Sequence, residues 1–409
     1  MSISNRKILP YFMWILGSLF FCYQFILRLW PSLLMHDIMQ QFKIDATAFG
    51  FMSSMYYYGY ATMQIPLAIM LDRFGVKKIL FYSVILCAFA TYLFTSTDNW
   101  ALALLARFLV GAGSAVGFLG ASKVISQWFS KEKYARMVGF TFSFGLLGAI
   151  YGGRPITNMI GNFGWQQVAY FLVIAAVLIA LLILFFLRER QENIETSPML
   201  KLSDFKQALK MPALWWLAIA NLLMVGSLEG FADVWGVNYL MKAYDFNKPK
   251  AAEITSLIFI GMLFGGPLLA YISENIGTKI TIVLCAFGMA LLLCLVIFIP
   301  QDLSFLVLKI IFFLIGVMCC YQVLVFAAGS KLVSPALLGV AIAFLNCINM
   351  LGGSFFHTII GKLMDVFWGG ELDGNIKIYS VLSYQKSLLI IPFCALIGGI
   401  IIYCLRKKQ

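Results

Sequence analysis

This chain has few charged residues and almost no histidine. Of its 409 residues, 12% are charged and 2 are His, whereas about 25% of an ordinary soluble domain is charged. Hydrophobic residues make up 62% of the chain, and its mean hydropathy is +0.90. A water-soluble protein cannot bury so much apolar surface in its core while exposing so few charges to solvent. The composition excludes a cytosolic enzyme, a DNA-binding protein and a disordered chain, and it predicts that apolar surface faces lipid.

Motifs of enzyme and metal chemistry are also absent. The sequence has no phosphate-binding loop of the form G-x-x-x-x-G-K-S/T, and no H-E-x-x-H, G-x-S-x-G or C-x-x-C. Its 9 cysteines lie in apolar runs without the spacing of a disulfide or metal framework. We therefore expect no enzyme activity, no catalytic residue, no cofactor and no metal site.

What the chain does have is about twelve apolar runs bounded by charges, Pro or Gly. A membrane span needs about 20 mainly apolar residues, and only helices or closed barrels satisfy the backbone in lipid. Barrel alternation is absent, so the predicted fold class is an all-α integral membrane protein with twelve transmembrane helices. The predicted spans are 10–35, 47–70, 77–96, 100–128, 136–160, 166–187, 212–242, 251–272, 279–299, 303–332, 337–363 and 384–405.

The distribution of Lys and Arg predicts the orientation of these spans. Most basic residues fall in the segments that are inside if the N-terminus is inside, so both termini are predicted to be cytoplasmic. The net charge of +12 therefore reflects membrane orientation and does not indicate a nucleic-acid partner. The polar stretch 188–211 is predicted to be a cytoplasmic linker with a short interfacial helix near 202–210. It separates an N-terminal bundle, 1–187, from a C-terminal bundle, 212–409.

The two halves also resemble each other. Segment 66–79 recurs as 268–280, so that Glu274 corresponds to Asp72, and the pair at 152–153 recurs as a Gly pair at 352–353. Two matches separated by nearly the same number of residues indicate a six-span repeat. Parallel repeats of this kind imply two bundles that rock about a site between them.

Two short motifs resemble those of a known family, the major facilitator superfamily of secondary transporters. The loop after span two reads A-I-M-L-D-R-F-G-V-K-K from Ala68 to Lys78, similar to the family's G-x-L-A-D-R-x-G-R-K. Ala68 stands where the family has Gly, and Val76 where it usually has Arg. Span four reads R-F-L-V-G-A-G from Arg107, matching R-x-x-x-G-x-G. The resemblance implies a central cavity lined by spans one, four, seven and ten.

The loop motif also predicts a latch on the cytoplasmic side. Gly75 permits a tight turn, and Asp72 can accept charge-assisted bonds from Arg73 or from a basic residue of a neighbouring loop. The alternative is that these charges only fix the topology. The predicted gating residues are Asp72, Arg73, Gly75, Lys77, Arg107 and Glu274.

Ionisable residues within spans cost roughly 3 kcal/mol or more, so each is a candidate for function. Arg28 and Glu229 occupy corresponding repeat positions at similar depth, and Gln24 and Asp233 share their respective helix faces. An Arg opposite a carboxylate suits a zwitterion, with Glu229 also a proton-coupling candidate. Alternatively the pair is only a gate, or Arg154 adds a second cation for an acidic cargo.

Other polar residues within spans are candidates for the same site. On span two, Tyr57, Tyr60 and Gln64 are predicted to line the cavity, the alternative being an outer aromatic belt. Lys123 and Lys309 are interpreted as snorkelling side chains and His357 as a packing residue.

The sequence thus predicts a multi-pass secondary active or facilitative transporter of zwitterionic amino acids or short peptides in a bacterial inner membrane, with proton symport left open. Span one is similar to the branch of lysosomal dipeptide carriers and, more distantly, to organophosphate antiporters. The alternatives are anionic metabolites, such as sugar phosphates or carboxylates, and a non-transporting receptor. The expected partners are a small-molecule substrate, the lipid bilayer and protons, with no nucleic acid and a monomeric chain.

Overall fold

The computed structural model describes residues 3–190, 209–299, 303–334 and 337–405. The predicted linker 188–211 and its interfacial helix lie almost entirely outside these residues. The described part of the first half is helical apart from short connections. Its helices are α1 (Ile3–Leu29), α2 (Met35–Phe42), α3 (Ala46–Phe74), α4 (Val76–Ser96), α5 (Trp100–Ser114), α6 (Val116–Trp128), α7 (Lys131–Gly152), α8 (Arg154–Phe163) and α9 (Trp165–Phe186).

The second half is built in the same way, with one small addition. An antiparallel hairpin of two short strands, β1 (Leu372–Asp373) and β2 (Ile376–Lys377), precedes the last two helices. The sequence did not predict this hairpin. The helices are α10 (Pro212–Met224), α11 (Gly236–Ala243), α12 (Lys248–Ile276), α13 (Thr278–Phe298), α14 (Phe305–Cys319), α15 (Tyr321–Ser330), α16 (Leu338–Val366), α17 (Val381–Leu388) and α18 (Ile390–Cys404).

Ten helical stretches of the described residues are long and apolar enough to cross a membrane. The two remaining predicted spans, 47–70 and 136–160, coincide with α3 and with α7 followed by α8. These helices are less apolar because α3 carries several Tyr, Ser and Gln residues and α7 begins with a charged turn. The prediction of an all-α membrane protein is confirmed.

Predicted spans one, four, seven and ten are each interrupted and do not form a single continuous α-helix. Span one is broken by a 3-10 segment, Trp30–Leu34, and span seven by a π-helical segment, Gly226–Trp235. Spans four and ten are each divided into two helices, at Ala115 and at Cys320. The interruptions in spans one and seven are fully buried, which is the condition under which irregular backbone is tolerated at membrane depth.

The chain divides into two compact units. One comprises Met1–Trp30 with Tyr58–Met199, and the other comprises Pro31–Tyr57 with Leu200–Gln409. The predicted halves 1–187 and 212–409 differ from these units in the placement of 31–57. Residues 31–57, which include the end of span one and the first half of α3, belong to the second unit.

Glycines at corresponding positions of the sequence repeat make similar helix contacts in the two units. In the first unit a side chain at Gly59 of α3 would overlap the carbonyl oxygen of Phe108 in α5. In the second unit a side chain at Gly261 of α12 would overlap the carbonyl oxygen of Phe313 in α14. Small residues let helix backbones approach closely in membranes. This close packing matters there because lipid is as apolar as the helix surfaces, so burial of apolar side chains does little to drive helix association. The two glycines therefore hold equivalent helix pairs together.

Substitution of Gly261 tests this close approach. We expect Gly261→Val to lower thermal stability by an amount corresponding to about 1–3 kcal/mol, because the helices must separate to admit the side chain. Gly266→Val is the matched control, since a side-chain carbon at Gly266 of the same helix would meet nothing within 4 Å. Equal unfolding temperatures for the two variants in one detergent would contradict the assignment.

Candidate functional site

Two carboxylates are buried together in the second unit. Glu229 and Asp233 both lie on the π-helical segment, with 1% and 0% of their surface exposed. Asp233 accepts a hydrogen bond from the phenol of Tyr57, and Glu229 Oε1 accepts one from Asn349 Nδ2 at 3.2 Å. The predicted pairing of Glu229 with Asp233 on one helix is thus part of a larger polar cluster that includes α3 and α16.

Glycines allow the backbones around these carboxylates to come close. A side-chain carbon at Gly353 would lie 2.5 Å from the ring of Tyr57 and 2.6 Å from Glu229 Oε2. Gly226 and Gly230, on the π-helical segment, likewise leave room for Phe356. Gly353 belongs to the Gly pair that marked the sequence repeat, and its function in the second half is to admit the carboxylate.

His357 completes this cluster. Its Nε2 lies 2.6 Å from the backbone carbonyl oxygen of Glu229, and its ring packs edge-on against Tyr57 at 5.0 Å between centroids. A carbonyl oxygen can only accept, so Nε2 donates in this bond. The sequence interprets His357 as a packing residue, and the structure places it against the backbone of Glu229 and the ring of Tyr57. We call Tyr57, Glu229, Asp233, Asn349 and His357 the acidic cluster.

The predicted cationic residues lie in the first unit. Arg28 is half-buried, its guanidinium 5.6 Å from the Phe25 ring, and Gln24 beside it is buried. Arg107 is 3% exposed and donates from Nη1 to the carbonyl oxygen of Leu27 at 3.0 Å. Because α1 ends at Leu29, that carbonyl lacks a helical partner. Arg107 thus supplies a donor beside the break in span one.

The remaining predicted substrate residues do not all belong to the same unit. Tyr60 and Gln64 are buried in the first unit, whereas Tyr57 belongs to the second. Arg154 is exposed at the start of α8. Since Arg28 and Glu229 also belong to different units, their pairing stays a prediction.

The predicted cytoplasmic loop contains one ion pair that the sequence had not selected. Asp72 pairs with Lys123 of α6 at 3.0 Å, so the residue interpreted as a snorkelling side chain is the partner of the acid. Arg73 instead lies near the ring of Phe74, at 5.4 Å. Sequence spacing could not identify this contact, because it depends on how α6 packs beside the end of α3.

The same loop contains a second contact that was not predicted. The backbone N–H of Lys77 donates to Glu189 Oε1 at 2.7 Å, which places a carboxylate at the N-terminus of α4. Gly75 has φ +87° and leaves room for this carboxylate. Glu274, the repeat counterpart of Asp72, is exposed.

A further cluster was missed altogether, at the predicted outer end of α3 and α16. Asp365 accepts bonds from Thr47 N at 2.7 Å, Thr47 Oγ1 at 2.5 Å, Tyr379 Oη at 2.6 Å and Lys377 Nζ at 2.9 Å. Lys377 also lies 3.5 Å from Asp45. We call these five residues the outer cluster. Nothing in the sequence links 45–47 with 365 and 377, since their proximity depends on the hairpin folding back over α16.

Charge and burial oppose each other in the outer cluster. Burial disfavours the charge of Lys377, but its bond to Asp365 and the nearby Asp45 raise the pKa of this ammonium group above its ordinary value. Burial and the bond to Asp365 likewise raise the pKa of the Tyr379 phenol. Both protons are therefore held more tightly in the folded protein.

Curated bacterial transporters are similar to this chain. It is 25% identical over 276 residues to the hexuronate transporter of Bacillus subtilis, which covers 63% of this chain and 65% of that protein. It is 24% identical over 256 residues to the probable sulfoacetate transporter SauU of Cupriavidus necator, covering 58% and 59%. An uncharacterized transporter of Bacillus subtilis, YybO, is 30% identical over 149 residues, covering 36% and 34%. These matches span about a third to two thirds of the relatives' length.

Solved structures share the fold over nearly the whole chain. A bacterial homolog to the human lysosomal transporter Spinster, in an inward-facing and occupied conformation, has a TM-score of 0.79 at 14% identity, covering 98% of this chain and 97% of that chain. The nucleoside transporter NupG has a TM-score of 0.77 at 16% identity, covering 98% and 100%. Finally, the Major Facilitator Superfamily profile matches residues 13–357. With its helical membrane fold and its two motifs, this multi-pass membrane protein belongs to the major facilitator superfamily.

Proposed function

We propose that this chain is a secondary transporter of small organic acids, with Arg28 binding the anionic group of the substrate. The observation that carries this choice is the burial of Glu229 and Asp233 among their own hydrogen-bonding partners. A zwitterionic cargo would need one of these carboxylates for its ammonium group. The half-buried guanidinium of Arg28 suits a carboxylate or sulfonate directly.

The relatives support the same substrate class. Their names refer to hexuronate, sulfoacetate and galactarate or D-glucarate, all of which are organic anions. The amino-acid or peptide substrate predicted from the sequence has no such support. The interrupted spans one and seven fit this function as well, since discontinuous helices form the binding sites of many transporters.

We assign the acidic cluster to proton coupling. Two carboxylates withdrawn from water are costly when both are ionised, and uptake of one proton removes part of that cost. Tyr57 donates to Asp233, Asn349 donates to Glu229, and His357 contacts the backbone of Glu229. A proton on Glu229 or Asp233 would thus change the contacts between the π-helical segment, α3 and α16.

The two other clusters suit gates at opposite predicted faces. On the cytoplasmic face, the Asp72–Lys123 pair ties the end of α3 to α6. On the outer face, Asp365 ties the start of α3 to the end of α16 and to the hairpin. Separation of these outer helix ends has to break the charge-assisted bonds at Asp365, which are about twice as strong as neutral ones.

Replacement of Arg28 tests the substrate assignment. We expect Arg28→Gln to reduce uptake of glucarate or sulfoacetate into proteoliposomes at least about tenfold, because the anion loses its bidentate partner. Arg136→Gln is the control, since Arg136 is exposed near the start of α7. Uptake of dipeptides by the parent protein, without competition from any organic acid, would show that the zwitterion prediction was right and this proposal wrong.

Replacement of Glu229 tests proton coupling separately. In Glu229→Gln the side chain keeps its shape and its oxygen can still accept from Asn349, but it can no longer bind a proton. We expect loss of uphill uptake driven by an inward proton gradient, while exchange of labelled for unlabelled substrate continues. Parent uptake that is unaffected when the gradient is collapsed would remove the coupling assignment and leave the Arg28 assignment intact.

Alkaline pH tests the outer cluster. Because the folded-state pKa values of Lys377 and Tyr379 are raised above 10.5 and 10.0, their contribution to stability is complete below pH 10 and is lost as the pH rises further. We therefore expect the unfolding temperature to fall more steeply above pH 10 in the parent than in Asp365→Asn. Identical slopes in the two proteins would contradict the role given to Asp365.

A further inference from the structure

A separate group of charged and aromatic residues lies where α12 and α14 begin. The Lys250 ammonium is 4.1 Å from the centroid of the Phe246 ring and 4.5 Å from that of Phe305. Lys309 lies 4.5 Å from the same Phe305 ring and 3.3 Å from Glu253 Oε1. Two ammonium groups therefore lie against one aromatic ring. We call these five residues the lysine–phenylalanine cluster.

The charge of this cluster is only partly compensated. Glu253 pairs with Lys309, but within the described part of the chain Lys250 forms no ion pair. Contact with an aromatic face leaves the N–H groups of an ammonium available to other acceptors. The cluster thus offers one uncompensated positive charge and donors from two lysines.

Two helix N-termini add to this positive potential. Gly261 and Gly265 of α12 approach Phe313 and Val317 of α14 in the same order along both helices, so the two helices run parallel. Parallel neighbours place their N-termini side by side, here at Lys248 and Phe305. Each N-terminus carries a partial positive charge, which favours an anion nearby.

The surface beside the cluster is apolar and exposed. Leu306 and Ile310, in the first turns of α14, are 67% and 50% exposed. In a membrane-spanning helix such side chains face acyl chains, while Phe305 at the helix start stands at the level of the headgroups. By the predicted orientation this is the outer leaflet, where basic residues are otherwise sparse.

We propose that the lysine–phenylalanine cluster binds the phosphate group of an anionic phospholipid, with its acyl chains against α14. The two lysines supply hydrogen-bond donors, the Phe305 ring contacts both ammonium groups, and the helix N-termini add attraction. A lipid with a choline headgroup would bring a second cation beside both lysines and is disfavoured. Lipid binding at this cluster does not depend on the substrate of the transporter.

Lipid retention by Lys250→Gln tests this site. Native mass spectrometry of the purified full chain would count phosphatidylglycerol molecules retained against phosphatidylcholine. We expect the variant to bind phosphatidylglycerol about fivefold more weakly, because each lysine near an anionic lipid contributes about 1 kcal/mol. Lys362→Gln, which removes one exposed charge from α16, is the matched control and should bind like the parent. Equal retention by both variants would overturn the proposal.

Two further arms separate lipid binding from a structural role of the lysine and from binding of a free anion. Lys250→Arg keeps the charge and the aromatic contact, so it should restore phosphatidylglycerol binding, whereas a purely structural role for the lysine stem predicts no difference between Gln and Arg. The unfolding temperature of the protein in phosphatidylcholine micelles, measured with and without millimolar inorganic phosphate, tests whether the site binds a free anion. If phosphate alone raises the unfolding temperature as much as phosphatidylglycerol does, the site binds free anions and the lipid assignment is wrong.

Discussion

Within a bilayer every backbone N–H and C=O group has to find a partner in the protein itself, because lipid supplies none. This constraint explains why the described residues are nearly all helical. It also explains where the helices can be interrupted. The 3-10 segment Trp30–Leu34 and the π-helical segment Gly226–Trp235 are buried, and Arg107 supplies a donor to a carbonyl near the first break. Irregular backbone is thus confined to protein-lined places, which are also the places where a polar cargo can be bound.

The same constraint shapes the acidic cluster. Carboxylates at this depth require donors, and Tyr57 and Asn349 supply them from α3 and α16. Tyr57 and Glu229 can both lie against α16 at this point because Gly353 has no side chain. The two carboxylates are thus held by contacts from the π-helical segment, α3 and α16.

Much of the fold could be predicted from the sequence because hydrophobicity and repeats are local or periodic signals. The spans, the repeat and the family motifs all followed from runs and spacings. The interruption of span seven was not predicted, since glycine-rich apolar sequence is compatible with both α- and π-helix. Among the contacts, the sequence indicates Lys123 only as a snorkelling residue and Glu189 only as part of the polar linker. Their partners, Asp72 and the start of α4, are distant in sequence, and no spacing rule connects them.

Few residues of this chain are charged, and the sequence and the tertiary structure determine different things about them. The sequence by itself determined that the chain is a helical membrane protein of two similar halves, because apolar runs of this length have no other stable solution. It also determined which ionisable residues lie within spans. Only the tertiary structure decided what those charges meet: that Asp233 meets Tyr57, that Asp72 meets Lys123, and that Asp365 gathers Thr47, Lys377 and Tyr379. The reason is physical, since the partner of a buried charge is fixed by which helices pack side by side, and packing joins residues far apart in the chain.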